Sequence, residues 1–249
     1  MEKKNTAYIV SYVFISVVLI VSVILFAYSI SRLIAHKEGG AEQTVVNRSR
    51  RTYVIDAGHG GEDGGAIASD GTTEKDLNLK MSEAVSLIFK LNCNDVRMTR
   101  TEDTLLYDCY NDLTDYTGKK KIYDLKNRVR LTEEHADPVY IGIHMNKFTV
   151  EKYRGLQVYY SKNNESSAYL ANSVQKDTSK YLQPDNKRII KRADSSIYVL
   201  DKLSCPAILI ECGFLSNNEE LSLLKTEEYR RELSLVIFTS CISANIDKN

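Results

Sequence analysis

Three apolar segments of the chain are each followed by a residue that can bind a metal ion or transfer a proton. The segments and the residues that follow them are Thr52–Asp56 with His59, Val139–Ile143 with His144, and Ala207–Ile210 with Glu211. A fourth such residue, Glu74, stands at the start of the first predicted helix, directly before Lys75. If the segments are parallel strands, their carboxyl ends meet at one edge of a sheet, where ligands bind in open α/β folds. We therefore expect these four side chains to lie at one site.

Two histidines and one carboxylate around an open fourth position form a catalytic zinc site, whereas structural zinc sites have four protein ligands. The remaining carboxylate can then act as a general base toward water. Taken singly, three of these residues have a simpler interpretation: His144 as a hydrogen-bonded core histidine, Glu211 as a cap, and Glu74 as a charge in the first turn of a helix. The occurrence of all four at one predicted edge favours the zinc site.

A glycine-rich loop lies within the stretch Val54–Ala66, whose sequence is VIDAGHGGEDGGA. Gly58 and Gly60 are followed by Asp63 at the position where a dinucleotide-binding loop needs a third glycine. A Walker A loop is also excluded, because Ala66 stands where that motif requires lysine. The chain lacks the H-E-x-x-H motif of thermolysin-type proteases and the G-x-S-x-G motif of serine hydrolases. The loop therefore belongs to a different kind of site.

Strand-like and helix-like segments alternate from Thr52 to about Ile246. The predicted strands are Thr52–Asp56, Asp95–Thr99, Val139–Ile143, Gly155–Tyr160 and Ala207–Ile210. The predicted helices are Lys75–Leu91, a segment carrying Ile122, Leu125 and Val129 on one side, Ser166–Tyr181, and Glu227–Ile246. Such alternation predicts an α/β domain with a three-layer α/β/α arrangement around a mostly parallel central sheet.

An uncharged, mostly apolar run extends from Ala7 to Ile30, long enough for a transmembrane helix, which needs about 20 residues. The run exceeds the roughly 7–15 residues of a cleavable signal core, so we predict one uncleaved N-terminal transmembrane helix. The predicted organisation is a membrane anchor at 1–35, a linker at 36–51 and a catalytic domain at 52–249. Positive residues after the run outnumber those before it, which favours a cytoplasmic domain, but long domains translocate largely regardless of such charges.

Charge and cysteine content exclude further classes of protein. The 33 basic and 33 acidic residues cancel, so the chain has no broad attraction to nucleic acid, and we expect no nucleic-acid partner. The cysteines show no C-x-x-C pair and no zinc-knuckle spacing, and their odd number argues against a disulfide framework. We therefore predict free thiols at all five positions, which are Cys93, Cys109, Cys205, Cys212 and Cys241.

Four segments resemble the motifs of one enzyme family, in that family's order. They are VIDAGHGGEDGGA, TTEKDLNLKMS, HADPVYIGIHMNKF and PAILIECGFLSNNEE. The region Thr52 to Ile246 thereby resembles the zinc-dependent N-acetylmuramoyl-L-alanine amidases of bacterial cell-wall metabolism, the amidase-3 family. The family fold is a sheet flanked by helices on both faces. The family reaction is hydrolysis of the amide that joins the lactyl group of N-acetylmuramic acid to L-alanine of the peptidoglycan stem peptide.

The resemblance also implies roles for individual residues. His59, Glu74 and His144 match the zinc ligands, and Glu211 matches the catalytic glutamate. Asn146 is a candidate substrate-binding donor, with a loop-stabilising role as the alternative.

For three other polar residues we expect a structural role or exposure to solvent, not a part in the chemistry. Arg128 matches a recurrent arginine of the family, for which we expect an ion pair. Glu62 and Asp63 lie within the glycine-rich loop, and we expect both to be solvated, because Glu74 already matches the carboxylate ligand.

Peptidoglycan lies outside the cytoplasmic membrane, so the resemblance implies a single-pass protein of the cell membrane whose catalytic domain is extracytoplasmic. The single anchor and the residues of the third and fourth motifs most resemble the membrane-anchored sporulation and germination-specific branch of the family. In that branch the amidase helps to make the muramic-δ-lactam of spore cortex.

The insertion Thr101–Gly118 departs from the family pattern, and it could be a lid, a partner surface or an ordinary loop. A regulatory protein partner is therefore a hypothesis. Two alternative functions also stay open. One is a catalytically inactive protein that binds peptidoglycan or recruits a partner, and the other is a zinc peptidase that acts within the stem peptide.

Overall fold

The computed structural model of the chain describes residues 19–26, 28, 51–92 and 94–244. The chain divides between Arg48 and Ser49 into two units, and the elements named here belong to the second. The strands are β1 (Thr52–Ala57), β2 (Asp95–Met98), β3 (Pro138–Asn146), β4 (Gln157–Tyr160), β5 (Lys191–Arg192) and β6 (Ala207–Phe214). The helices are α1 (Glu74–Leu91), α2 (Lys120–Glu133), α3 (Ser166–Tyr181), α4 (Tyr198–Lys202), α5 (Asn218–Lys225) and α6 (Glu227–Ser243).

The six strands form one sheet in the order β2-β1-β3-β6-β4-β5. The pairs β2–β1, β1–β3, β3–β6 and β4–β5 are parallel, and β6–β4 is antiparallel. The prediction of an α/β domain with a mostly parallel sheet is therefore confirmed. Because β1, β3 and β6 are adjacent and parallel, their carboxyl ends lie side by side.

Helices pack against both faces of the sheet, which fits the predicted three layers. On one face, Ile143 and Ile210 belong to a large core shared with α1, α3, α5 and α6. On the other face, Tyr140 and Leu209 belong to a smaller core with α4 and with Leu125 of α2. Side chains alternate between faces along a strand. Glu211, two positions beyond Leu209, and His144, four positions beyond Tyr140, therefore also face the α2–α4 side.

Two strands continue past the apolar runs that predicted them. β3 extends through His144 to Asn146, and β6 extends through Glu211 to Phe214. Polar side chains end the apolar pattern, but the backbone ladder continues, since His144 pairs in register with Glu211 and the register shifts only before Asn146. The predicted strand ends at Ile143 and Ile210 were wrong, and both candidate site residues lie within paired strands.

The remaining differences concern the ends of elements, such as the strand predicted from Gly155 that begins at Gln157, and short elements. The predicted helix Ser166–Tyr181 is confirmed, and α1 begins one residue earlier than predicted. We did not predict α4, α5 or β5, because runs of two to eight residues are too short to show a periodic pattern. Four of the cysteines are free thiols, as predicted, whereas Cys93 lies outside the described residues.

The N-terminal prediction falls mostly outside the described part of the chain. Residues 19–26 are helical, and their apolar side chains are exposed. Over the ranges that the structure describes, no helix combines the length and apolar character needed to cross a membrane. The rest of the predicted anchor at 1–35 and most of the linker at 36–51 are not described, so the transmembrane helix stays a prediction.

A buried ionic network connects β1 to α2. The Arg128 guanidinium lies 2.5 Å from Asp56 and 2.8 Å from Asp124, and its side chain is 2% exposed. Tyr140 donates its hydroxyl to Asp56 at 2.5 Å, and Thr99 donates to the other oxygen of the same carboxylate. Burial alone would raise the pKa of Asp56, but the cation and these hydroxyls together lower it below its usual value. The expected ion pair of Arg128 is confirmed.

The insertion Thr101–Gly118 packs against α2. Leu106 is buried, and its amide donates to the Asp124 carboxylate at 2.8 Å. The Asn127 side chain donates to the Leu106 carbonyl at 2.6 Å. The Tyr116 ring contacts the rings of Tyr107 and Tyr123 edge-on, with centroids 5.1 and 5.4 Å apart. These contacts make the insertion an ordered layer on the helix that carries Arg128.

Replacing Arg128 with methionine would leave Asp56 buried without its cation. We expect the free energy of unfolding to fall by about 3–5 kcal/mol, measured by urea denaturation of the full-length protein. Arg130→Met is the matched control on the same helix, because that guanidinium is exposed and lies 3.6 Å from Asp112. We expect the control to cost at most about 1 kcal/mol. An equal, small loss in both variants would contradict a structural role for the Arg128 pair.

Candidate active site

The structure brings the four predicted residues together at the carboxyl edge of the sheet. Glu74 is the first residue of α1, and His144 in β3 lies beside Glu211 in β6. His59 lies in the loop after β1 with a φ of 61°. This left-handed conformation is uncommon for a residue other than glycine, so the surrounding contacts must stabilise it.

Three of these residues form a cluster that can bind a metal ion. The Glu74 Oε1 atom lies 3.2 Å from His59 Nε2 and 3.1 Å from His144 Nδ1. The three ligand atoms all lie within 4.8 Å of one another. Ligands about 2.0–2.1 Å from a tetrahedral zinc ion are ~3.3 Å apart, which is close to the two measured N–O distances. Two imidazoles and one carboxylate are also ligands that zinc accepts, so the residues fit this metal.

Glu74 is placed between the two histidines by hydrogen bonds on both of its oxygens. Its Oε2 accepts the Ala66 amide at 2.8 Å, and its Oε1 accepts the Met145 amide at 3.2 Å. Burial would raise the pKa of Glu74, but hydrogen bonds with His144 and His59 lower it far below the usual range. A buried carboxylate that stays ionised between two imidazoles provides favourable electrostatics for a cation.

Two glycines are required by the close packing of these side chains. A Cβ atom on Gly58 would lie 2.2 Å from the His144 ring. A Cβ on Gly65, which has a φ of 65°, would lie 2.6 Å from Glu74 Oε2 and 2.8 Å from the His59 ring. The glycine-rich loop therefore leaves space for the candidate ligands themselves.

Two buried arginines position the backbone of this loop. Arg128 donates to the His59 carbonyl at 2.9 Å. Arg100 donates to the Ala57 carbonyl at 2.9 Å and to the Gly58 carbonyl at 3.0 Å. Arg100 was not among the predicted site residues, although an arginine directly after the strand predicted at 95–99 could have indicated this role.

Asp63 lies against the second nitrogen of the His59 ring. Its Oδ2 is 3.0 Å from His59 Nδ1, although the angle is not that of a hydrogen bond, and 3.3 Å from Lys121 Nζ. The expectation of a solvated Asp63 was wrong, whereas the Glu62 side chain is 72% exposed. Carboxylates commonly occupy this position beside metal-binding histidines, where they orient the ring and select its tautomer.

Glu211 differs from Glu74 in its surroundings. Its side chain is partly exposed, but its Oε2 atom is buried and has no hydrogen-bond partner among the described residues. Burial raises the pKa of Glu211 to about 7, with a further increase from the Glu74 charge that the two histidines oppose. A carboxylate with such a pKa can both accept and return a proton near neutral pH.

A cavity of about 270 Å³ opens over these residues on the α2–α4 side of the sheet. Its lining includes His59, His144, Glu211, Lys121, Leu209 and Tyr198. The lining combines these polar and charged groups with the apolar side chains of Leu125, Ile197, Val199 and Leu209. This arrangement suits a substrate with a polar reacting group attached to a larger body.

Two other polar residues lie near the ends of β3 and β6. The main-chain carbonyl of Asn146 accepts the Leu215 amide at 2.7 Å, and a substrate-binding role for its side chain stays a prediction. Glu220 was missed in the sequence. Its buried carboxylate accepts the Phe214 amide at 2.9 Å and the Gly155 amide at 2.8 Å, so it connects the end of β6 to the segment before β4.

Comparisons with known proteins agree with this geometry. Residues 54–242 match the family described as Amidase_3, N-acetylmuramoyl-L-alanine amidase. The chain is 32% identical over 190 residues to the germination-specific N-acetylmuramoyl-L-alanine amidase of Bacillus subtilis, covering 76% of this chain and 78% of that protein. It is 27% identical over 237 residues to the amidase AmiA of Salmonella typhimurium, covering 78% and 76% of the two chains.

Solved structures show the same relationship. The CwlD amidase from Clostridioides difficile, in complex with the GerS lipoprotein, is 34% identical with a TM-score of 0.71, covering 78% of this chain and 97% of that one. The amidase AmiC2 of Nostoc punctiforme is 27% identical with a TM-score of 0.62, covering 78% and 96%. The chain therefore belongs to the N-acetylmuramoyl-L-alanine amidase family, which confirms the enzyme class predicted from its motifs.

Proposed function

We propose that this amidase is zinc-dependent and cleaves the amide between the lactyl group of N-acetylmuramic acid and L-alanine in peptidoglycan. His59, Glu74 and His144 would bind the metal through Nε2, Oε1 and Nδ1. The observation that carries the proposal is the meeting of these three atoms within 4.8 Å, beside a glutamate that has a raised pKa and a buried, unpartnered oxygen.

When bound, zinc supplies Lewis acidity toward the scissile carbonyl and toward water. Glu211 accepts the proton of the attacking water and then donates it to the leaving L-alanine amine. Glu74 stays ionised and holds both imidazoles in position, while Asp63 orients the His59 ring. The cavity over the site accepts the muramoyl group and the start of the stem peptide and reduces access of bulk water to the reacting atoms.

A biological role in spore cortex is the second part of the proposal. Two similar proteins support it: one is named a germination-specific amidase, and the other is the CwlD amidase, solved with a lipoprotein. Cleavage of the muramoyl amide frees the lactyl carboxyl, which is the group that must react further to close a muramic-δ-lactam. By analogy with the lipoprotein complex, a regulatory protein partner is part of this proposal.

The proposed location is the outer side of the cell membrane, with the domain anchored by the N-terminal run. Support comes from the absence of charge between Ala7 and Ile30 and from the location of peptidoglycan itself. The domain would then meet its substrate directly.

Zinc content and reaction products together test the catalytic proposal. We expect the full-length protein to bind one zinc ion and to release L-alanine amines and lactyl carboxyls from peptidoglycan, with activity lost on chelation and restored by zinc. Glu211→Gln should retain zinc and lose about 10²–10⁴-fold in kcat, whereas Glu219→Gln, at an exposed ion pair, should not change kcat.

Three outcomes would contradict this assignment. New termini within the stem peptide would indicate a peptidase, and full activity of Glu211→Gln would remove Glu211 from proton transfer. A zinc-bound protein that releases no product at all would support the inactive alternative.

Asp63→Asn tests the orienting role of this carboxylate without an activity assay. We expect zinc affinity to fall about 10–100-fold, measured by competition with a chromophoric chelator. Glu62→Gln is the matched control, because the Glu62 carboxylate neighbours Asp63 in the sequence but is exposed and pairs with Lys120 instead of contacting His59. Equal zinc affinities for Asp63→Asn and the wild type would show that Asp63 does not support the metal site.

Cys109 provides a test of location, because it is exposed and free. We expect a membrane-impermeant maleimide to label it in intact protoplasts as fully as after lysis, and Cys109→Ser supplies the background. Labelling that depends on lysis would place the domain in the cytoplasm and contradict the proposal.

A further inference from the structure

Arg188 lies at the side of the sheet beyond Glu211, where its guanidinium is held in place without an ion pair to any described residue. Its Nε donates to the Arg154 carbonyl at 2.9 Å, and its guanidinium stacks on the Phe214 ring at 4.6 Å. Arg154 pairs with Glu219 at 3.2 Å. Arg188, in contrast, has no ion-pair partner within residues 51–92 and 94–244. Its charge acts on the Glu220 carboxylate without an ion pair between the two, and both Glu220 oxygens already accept backbone amides. The Arg188 guanidinium can therefore still pair with an external anion.

The backbone around Arg188 is fixed by the segment that leads into β4. Asn186 accepts the Arg188 amide at 3.0 Å through its Oδ1, and its Nδ2 donates to the Leu156 carbonyl at 2.9 Å. Gln157 also donates its side-chain amide to the Ile189 carbonyl. A stacked and hydrogen-bonded guanidinium loses little further entropy on binding a ligand.

Arg188 lies at the end of a row of residues that begins at the candidate metal site. His144 pairs in register with Glu211, and Glu211 pairs with Gln157 on the next strand. The Arg188 Nη1 atom is 3.4 Å from the Gln157 side-chain oxygen. Since neighbouring strands are about 4.8 Å apart, two strand spacings, or ~10 Å, separate the His144 and Gln157 backbones.

The chemistry of the stem peptide supplies an anion at a suitable separation. The residue after L-alanine is a D-glutamate, whose chain continues through its side-chain carboxyl and leaves the α-carboxylate free. Two extended residues span about 7 Å, and the Arg188 side chain reaches toward Gln157, the register partner of Glu211. This carboxylate can therefore reach the Arg188 guanidinium while the scissile amide lies near Glu211. Arginine binds carboxylates through two parallel hydrogen bonds.

We propose that Arg188 binds the free α-carboxylate of the second stem-peptide residue and thereby selects acidic over amidated stem peptides. This inference rests on the proposed function, because it assumes that the muramoyl–L-alanine bond is cleaved beside Glu211. It adds a substrate preference that the metal site alone does not provide.

The test uses the zinc-loaded, full-length protein and two substrates. One is a set of glycan strands whose stem peptides carry the free D-glutamate α-carboxylate, and the other is the same set amidated at that carboxyl. We expect wild-type kcat/KM to be about 10–100-fold higher on the free-carboxylate strands. Arg188→Gln should lose about that factor on these strands, mainly through KM, and should change little on the amidated strands.

The controls separate a binding role from a structural one. Arg188→Lys keeps the charge but not the two-pronged geometry, so a smaller loss on the free-carboxylate strands is expected. Lys187→Gln removes a neighbouring exposed cation, whose ammonium donates to the Pro184 carbonyl, and should leave the preference unchanged. If Arg188→Gln unfolds, Arg188→Lys and the wild-type preference decide the question.

Equal losses on both substrates, or a wild type without preference, would overturn the role of Arg188. Neither result would affect the proposed function, because muramoyl–L-alanine hydrolysis is scored on both kinds of strand. A zinc-loaded wild type that cleaves neither substrate would instead overturn the proposed function, and the Arg188 inference with it.

Discussion

Burial of the Asp56 carboxylate near the end of β1 is the constraint on which the site depends. A buried charge costs several kcal/mol unless it is paired and hydrogen-bonded. Arg128 neutralises it from α2, and the same guanidinium donates to the His59 carbonyl. The position of a candidate metal ligand is thus coupled to an ion pair in the core, and the insertion packed on α2 stabilises the helix that provides the arginine.

The glycine-rich loop is shaped by close contacts. The rings of His144 and His59 occupy the volumes that Cβ atoms on Gly58 and Gly65 would fill. His59 itself has a left-handed backbone conformation, whose cost, of order 1–3 kcal/mol, persists only where surrounding contacts fix it. The buried arginine donors provide such contacts, since they bond to the carbonyls of Ala57, Gly58 and His59. A metal site needs candidate ligands held in this way.

Elements with a periodic apolar pattern, and site residues of a type that is rare in the chain, could be predicted from the sequence. Helix Ser166–Tyr181 could be predicted because its apolar residues are spaced as in a helix. The clustering of His59 with Glu74 and His144 could be predicted because histidine is scarce and both histidines follow predicted strands. The strand ends could not be predicted, since backbone pairing continues through polar residues such as Glu211. The contacts of Asp63 and Arg100 depend on the path of a loop, which a single sequence does not specify.

X-ray absorption at the zinc edge of the metal-loaded, full-length protein would identify the atoms that surround the metal. We expect two imidazole nitrogens and oxygen ligands at about 2.0–2.2 Å, with one imidazole lost in His59→Ala and one in His144→Ala. Sulfur scattering at about 2.3 Å, or a shell that neither substitution changes, would show that zinc binds elsewhere and that His59, Glu74 and His144 do not form the metal site.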